Sequence, residues 1–255
     1  MTPETPAAAD PQPQGMSAAA RVTGVLFEPA ATFQDIARRP TFLLPMILVI
    51  LASLVFSVLM GQRVGWDRVI QQRNEMMGQA MQQRMSQMPA EQREAQEKMQ
   101  RMITPITTYA GSILGTPIIW LISAGLLMLI VKVMMSVPVT FKQVYSIVAF
   151  AAMPIVIQTI LKIVVLYLKK PDDFNTMNPL AFNPGAFMDP ATGSKFLYVV
   201  GVSLDVFIIW SLVLTAVGLK AAGGKRLSFT GALVAAFTPW VVFVLLGAGA
   251  AAAFS

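Results

Sequence analysis

Residues 111–131 read GSILGTPIIWLISAGLLMLIV, a run of 21 residues without a charged side chain. The hydrocarbon core of a bilayer is roughly 30 Å thick, and an α-helix crosses it with about 20 apolar residues. Because this stretch has the required length and would bury no charge in lipid, it predicts a membrane-spanning helix. The fold class then depends on whether the chain holds other stretches like it.

Four further stretches have the same character. Two are free of charge, one contains only Lys162 and one contains only Asp205; in chain order they are 41–60, 144–168, 196–219 and 227–254. The composition agrees, since 55% of the residues are hydrophobic and 13% are charged, where a soluble domain carries about 25% charged residues. We therefore predict an all-α fold: a multi-pass membrane helix bundle over 41–254 with five transmembrane helices.

Several classes of chemistry are excluded by residues that the chain lacks. Cysteine and histidine are both absent, which removes thiolate nucleophiles, zinc–thiolate sites, Ser-His dyads and haem held by an axial His. Walker A, GxGxxG and GxSxG motifs are also missing, and an intramembrane aspartyl protease would need a second aspartate within the spans. We expect neither an enzyme nor a cofactor.

The net charge of +6 favours anionic lipid rather than nucleic acid as the counter-charge, because much of the basic charge flanks the apolar runs. Five spans place the two termini on opposite sides of the membrane. The short connections 132–143 and 220–226 contain only basic charges, and basic residues concentrate in cytoplasmic loops. This pattern predicts a cytosolic N-terminus and a C-terminus on the opposite side.

The residues before the first span divide into two parts. Residues 1–20 are rich in Pro and Ala and predict a disordered tail. Over 21–40 the apolar residues recur at helical spacing, Thr32 and Asp35 form a candidate capping box, and Arg38-Arg39-Pro40 closes the segment. We interpret 21–40 as an interfacial amphipathic helix whose arginines lie near phosphate headgroups. The alternative is a helix packed on the inner face of the bundle.

The loop 61–104 is rich in Met and Gln. Its methionines follow helical spacing and predict two helices that extend the first and second spans beyond the membrane; they are Met77, Met81, Met85, Met88, Met99 and Met102. Thioether sulfur could hold copper(I), but methionine more often fills adaptable apolar surfaces, so we favour packing or partner contact. The later loop 169–195 is rich in Pro, Asp and Asn, which predicts structured turns rather than a calcium site.

Three polar residues interrupt the apolar spans. Lys162, Gln158 and Asp205 are predicted to meet, because Lys162 and Asp205 lie at comparable depths, about 9 Å and 14 Å, at 1.5 Å per residue. Charges at such depth are costly and suggest function by default. The functional hypothesis is an ion or proton site. The structural one is a buried pair that fixes helix packing, or a snorkelling lysine beside a neutral, protonated aspartic acid.

Three short patterns resemble the Yip (Ypt/Rab-interacting protein) domain family in its bacterial form. They are LFEP at 26–29 leading through Phe33 to Arg39-Pro40 and Pro45, TFKQV at 140–144 followed by 149–154, and Leu204-Asp205 leading through IWSLVL at 209–214 to Gly218-Leu219. The resemblance implies a five-span membrane protein with a cytosolic N-terminus, in this case in the bacterial inner membrane. Eukaryotic relatives act in vesicle trafficking and contact Rab GTPases. Here the N-terminal arm is short and the Met/Gln-rich loop is inserted, so we do not expect Rab-type binding.

Together these observations give a leading hypothesis and an alternative. The first is a non-enzymatic Yip-type protein that organises the membrane or its partners, with a trafficking-like or membrane-shaping role, in which four cations contact anionic headgroups: Arg38, Arg39, Lys225 and Arg226. Its protein partners would be other membrane proteins or a second copy of the chain. The alternative is an ion or small-solute channel or transporter centred on Asp205 and Lys162. A third, weaker hypothesis is a scaffold that uses the Met-rich loop.

Overall fold

The computed structural model describes residues 15–75, 83, 85–189 and 193–253. Over these residues the chain is helical, without a strand. Five helices are long and apolar enough to cross a membrane, namely Leu43–Arg63, Ala90–Met134, Phe141–Leu168, Val206–Arg226 and Phe229–Ala253. The predicted fold class, an all-α multi-pass membrane bundle with five transmembrane helices, is confirmed.

We number the α-helices in chain order. They are α1 (Ala18–Phe27), α2 (Pro29–Arg38), α3 (Leu43–Arg63), α4 (Trp66–Glu75), α5 (Ala90–Ala110), α6 (Thr116–Met128), α7 (Phe141–Ala151), α8 (Met153–Leu168), α9 (Lys195–Ser203), α10 (Val206–Gly223) and α11 (Phe229–Ala253). Two π-helical segments, Gly111–Gly115 and Leu129–Met134, join α5 to α6 and extend α6. Short 3₁₀ turns occur at Pro171–Asp173, Pro184–Phe187 and Gly224–Arg226.

The bundle has two ends, which contacts between distant segments define. At the first, the α2 end, the Gln143 amide donates to the Ala37 carbonyl oxygen at 2.8 Å, and Val137 and Leu227 lie beside Gly223. At the second, the α4 end, the Arg63 Nε donates to the Leu166 carbonyl at 2.7 Å. The five long helices therefore run alternately up and down between these ends.

The N-terminal segment is a helical hairpin rather than one interfacial helix. Helix α1 begins at Ala18, so residues 18–20 do not belong to a disordered tail, and residues 1–14 lie outside the described part. Phe33 and Ile36 on α2 are fully buried, and α2 packs mainly against α10. This arrangement agrees with the alternative expectation, a segment packed on the bundle itself.

The expected capping box at Thr32 and Asp35 is wrong. Thr32 lies inside α2, where its hydroxyl donates to the Glu28 carbonyl oxygen at 2.9 Å, and the N-cap of α2 is Glu28, whose side chain makes no capping hydrogen bond. Pro29 explains the difference, because proline favours the first turn of a helix and thereby sets the start upstream of Thr32.

The third and fourth predicted spans are each interrupted by a break in the helix. The third breaks at Ala152, just before Pro154, because proline lacks the N–H that would continue the helical ladder. The fourth breaks at Leu204–Asp205. There the Asp205 carboxylate caps the new helix α10 by accepting hydrogen bonds from the backbone N–H groups of Phe207 and Ile208. Asp205 is thus a helix N-cap rather than a mid-helix charge.

The Met/Gln-rich loop is helical in the part that the structure describes. Helix α5 runs directly into the second span, as predicted, whereas α4 is separated from α3 by Gly65, whose φ is 85°. Met99 and Met102 on α5 are 51% and 63% exposed, and Met77 and Met81 lie outside the described residues. The later loop contains the expected turns, for example Asn175 accepting from the Met177 and Asn178 N–H groups.

Candidate functional site

A polar cleft opens at the α2 end of the bundle. It has a volume of about 440 Å³, and three helices provide its walls: α2, the first turn of α7 and the last turns of α10. The lining residues are Gln34, Ala37, Arg38, Gln143, Lys220, Ala221, Ala222 and Gly224. Residues that are distant in the sequence therefore share one concave surface, and the charged groups within it are cations.

The walls of this cleft are held by backbone and capping interactions. Thr140 and Gln143 form a capping box that fixes the start of α7, and the amide of Gln143 then reaches the Ala37 carbonyl. On the other wall, the Lys220 ammonium donates to the Gly224 carbonyl oxygen at 2.6 Å. Gly224 has a φ of 55°, a conformation that glycine adopts without strain. The Lys220 ammonium is thereby held at the rim of the cleft.

The four cations predicted to contact headgroups all lie around this end. Arg38 lines the cleft itself, Arg39 ends α2 as its C-cap residue, and Lys225 and Arg226 follow Gly224 in a 3₁₀ turn. Each of the four side chains is exposed. Lys220 was not among the residues singled out from the sequence, although its position in a purely basic connection was the available signal.

A buried arginine fixes the hairpin that carries Arg38. Arg21 is only 4% exposed, and its Nε donates to the Asp35 carboxylate at 2.7 Å. Its Nη1 donates to the Arg39 carbonyl oxygen at 2.9 Å and to the Thr41 hydroxyl at 2.8 Å. These bonds join α1 to the end of α2 and the start of the first span. Sequence reasoning missed this role, and the only signal was an isolated arginine in an apolar helix.

The intramembrane polar residues are brought together in part. The Gln158 amide donates to the Asp205 carboxylate at 2.9 Å, and both side chains are buried. The same carboxylate oxygen accepts the two backbone N–H groups that it caps. Lys162 lies one helical turn beyond Gln158, half-buried, and among the described side chains no salt bridge joins it to Asp205. Within the described residues, Asp205 therefore accepts a hydrogen bond from Gln158 and forms no ion pair with Lys162.

Within the described residues, no three His, Cys, Asp or Glu side chains come close enough together to hold a metal ion. Of the methionines in the predicted copper stripe, Met99 and Met102 are largely exposed on α5, and Met85 and Met88 are half-buried. The described part of the loop thus offers an exposed apolar face on a helix.

Comparison with known proteins adds a family assignment. The family model of the Yip1 domain matches residues 23–251, which include most of the N-terminal hairpin, the first four candidate spans and nearly all of the fifth. The resemblance drawn from three short patterns is confirmed over this range. A search of curated proteins and a search of solved structures find no match.

Proposed function

This multi-pass membrane protein belongs to the Yip1 domain family, and we propose that it organises membrane lipids and partners without catalysis, through the basic surface at its α2 end. One observation carries the proposal: Arg38 on the N-terminal hairpin and Lys220 at the end of α10 line the same cleft. Two separate segments thus converge to concentrate positive charge at one end of the bundle.

The chemistry of this surface matches an anionic phosphate headgroup. Arg38, Arg39, Lys225 and Arg226 are exposed around a cleft that also contains Lys220 and two glutamine side chains. Juxtamembrane cations attract an anionic leaflet by about 1 kcal/mol each. The acid nearest to this group in the sequence, Asp35, is already paired with the buried Arg21, and the charged side chains that line the cleft itself, Arg38 and Lys220, are both cations.

The proposal also fixes an orientation. Basic residues in short loops mark the cytoplasmic side in bacteria. The short connections at the α2 end, 132–143 and 220–226, contain only basic charges, whereas the seven cations of the loop 61–104 are spread over a long segment that also holds five acids. We therefore infer that the α2 end faces the cytosol, that the C-terminus lies across the membrane, and that the membrane is the bacterial inner membrane. The hairpin strengthens the assignment, because it adds Arg38 and Arg39 to the end already marked by Lys220, Lys225 and Arg226.

The test compares lipid selectivity of two charge-matched variants of the full chain. In one, Arg38, Arg39, Lys225 and Arg226 are replaced by Gln; in the control, four exposed cations near the α4 end are replaced, namely Arg93, Lys98, Lys169 and Lys170. Both are reconstituted in vesicles, and the preference of the protein surface for spin-labelled phosphatidylglycerol over phosphatidylcholine is measured. We expect the first variant to lose the preference and the control to keep it. Equal preferences in both variants would reject the basic surface.

The alternative function, an ion or small-solute pathway, receives less support from the geometry. Asp205 accepts three hydrogen bonds on one carboxylate oxygen, which favours a structural cap over a site that binds and releases ions. Flux through reconstituted vesicles tests it. A parent chain that conducts ions and an Asp205→Asn variant that does not would restore the transport hypothesis.

A further inference from the structure

A second concave surface lies inside the membrane-spanning part of the bundle, away from the basic cleft. It is a groove of about 330 Å³ between α6, the junction of α7 and α8, α10 and α11. Its lining is mostly apolar and includes two tryptophans; representative residues are Trp120, Ala152, Ile208, Thr215, Trp240 and Phe243. The volume lies within the range of roughly 300–1,000 Å³ that is typical of small-molecule sites.

The depth of the groove follows from the helices that form it. On α10 the lining runs from Ile208 to Thr215, and on α11 from Ala236 to Phe243. At 1.5 Å per residue, both stretches lie roughly 10 to 22 Å from the α2 end of their helices. A bilayer core is about 30 Å thick, so the groove occupies its middle, where hydrocarbon chains surround the protein.

Prolines and small residues explain why the helices part at this level. Helix α7 stops at Ala151 and α8 begins at Met153, just before Pro154, and Pro239 lies inside α11. Proline removes a backbone hydrogen bond and kinks a helix. Ala151, Ala152 and Ala236 supply only methyl groups to the same surface. The groove therefore follows from the local sequence of two of its walls.

The polar atoms in the groove are few and uncharged. The Ser211 hydroxyl donates to the Phe207 carbonyl, and the Thr215 hydroxyl donates to the Ser211 carbonyl, so neither proton is available to a ligand. No charged side chain lines the groove among the described residues. The other polar groups in its lining are the Ser123 hydroxyl and the indole N–H groups of Trp120 and Trp240. With so few polar groups and no charge, the surface is suited to hydrocarbon rather than to an anion or a metal ion.

We propose that the groove binds a single acyl chain of a bilayer lipid. A void of this size would deprive its walls of dispersion contacts, and water has few hydrogen-bond partners there. Lipid chains are the molecules present at this depth in high concentration. The inference goes beyond the proposed function and does not depend on it, because it rests on the groove alone and not on the basic cleft.

Trp120 provides an internal probe of the occupant. It lines the groove and is only 7% exposed. Trp66, Trp210 and Trp240 are replaced by Phe to leave it as the single fluorophore; because Trp240 also lines the groove, this triple variant, which keeps an aromatic ring at position 240, is the parent for every quenching comparison. The full chain is reconstituted in phosphatidylcholine vesicles with or without bromine atoms at the middle of the acyl chains. If a chain enters the groove, the brominated lipid quenches Trp120 strongly.

Two substitutions on α6 separate a chain in the groove from chains around the protein. Ser123→Phe fills the groove from its own wall, and Ile122→Phe adds the same ring at a position that is 53% exposed on the outer surface. We expect Ser123→Phe to lose most of the quenching and Ile122→Phe to retain it. Ser211→Phe repeats the block from α10 and replaces Ser123→Phe if circular dichroism shows that the latter does not fold.

Three outcomes would contradict an acyl chain in the groove. Weak quenching in the parent, or quenching that both blocking variants retain, would overturn the proposal, since the bromine would then act from the outer surface or not at all. Quenching by aqueous acrylamide instead of brominated lipid would show a water-filled groove and would also overturn it. The zwitterionic vesicles contain no anionic lipid, so a negative quenching result says nothing about the basic surface. Likewise, a negative result with the charge variants does not bear on the groove.

Discussion

The apolar membrane-spanning stretches of the second and third long helices have the same mean hydropathy, 2.2, but very different burial. In the apolar window of Phe141–Leu168, 56% of the residues are buried within the protein, against 17% in Ala90–Met134. Ile118, Ile119 and Ile122 on the second helix are more than half exposed, whereas Ile147 and Phe150 on the third are fully buried. In a membrane an apolar side chain has nearly the same free energy against lipid as against protein. Hydropathy alone therefore does not reveal which helix forms the core.

What distinguishes the third helix is its neighbours. The N-terminal hairpin packs against it, α10 lies along it, and Gly218 on α10 brings Ile147 and Phe33 into close contact. The second helix has open space at Gly111, Gly115 and Gly125. Gly218 of α10 thus lies at a close helix contact, while Gly111, Gly115 and Gly125 of the second helix face open space. Four predictions, in decreasing order of expected effect, test this contrast.

The largest effect is expected from Phe150→Ala. Phe150 is fully buried, and truncation of a buried Phe costs roughly 3–5 kcal/mol. Ile118→Ala on the second helix, where the side chain is 52% exposed, is expected to change the free energy of unfolding little. Unfolding by denaturing detergent, followed by circular dichroism, measures both. Equal losses in the free energy of unfolding for the two variants would mean that the difference in burial does not affect stability.

Arg21→Met comes next, because it leaves Asp35 and two acceptors without their donor. Removing one partner of a buried pair costs about 3 kcal/mol or more; here Asp35 is partly solvent-accessible, with 19% side-chain exposure, so we expect about 2–3 kcal/mol. The matched control is Arg101→Met on α5, whose pair with Asp67 is 64% and 73% exposed and should contribute about 0–1 kcal/mol. The same detergent unfolding applies, and a loss for Arg21→Met no greater than that of the control would contradict the role of the hairpin.

Gly218→Val tests the close packing of α10 against α7 and α2 at a single position. A side chain there would collide with Ile147 and Phe33, and overpacking costs roughly 1–3 kcal/mol. The control is Gly125→Val, since a methyl group at Gly125 meets nothing within 4 Å. Thermal melting in detergent should fall for the first variant and stay close to the parent for the second. If both variants have the melting temperature of the parent, α10 and α7 are less closely packed than the structure indicates.

The smallest effect concerns the break in the fourth span. Asp205→Ala removes the cap of α10 and should cost about 1–2 kcal/mol, whereas Asp205→Asn keeps a good capping residue and should cost less. The difference between the two variants, measured by thermal melting, isolates the cap. A larger loss for Asn than for Ala would show that the negative charge, rather than the hydrogen bonds to Phe207 and Ile208, is what this position requires.

Much of the fold was accessible from the sequence because apolar length is a strong and local signal. The five spans were predicted from apolar runs with at most one charged residue each. The comparable depths of Lys162 and Asp205 placed Asp205 near Gln158 and Lys162, of which Gln158 is the one that donates a hydrogen bond to it. The sequence nevertheless places Asp205 inside a continuous helix. Its role as an N-cap depends on an interruption of the helix at Leu204–Asp205, which the mean hydropathy of the span does not reveal. Arg21 was overlooked because its three partners belong to segments up to 20 residues away.

The sequence by itself determined that this chain crosses a membrane five times and that its two short connections, 132–143 and 220–226, carry only basic charges, because both properties depend on composition along short stretches. Only the tertiary structure decided which apolar surfaces face protein and which face lipid, since the two environments have nearly the same affinity for hydrocarbon. The same holds for the basic cleft and the apolar groove. Each is formed by helices that are distant in the chain, and packing geometry brings them together.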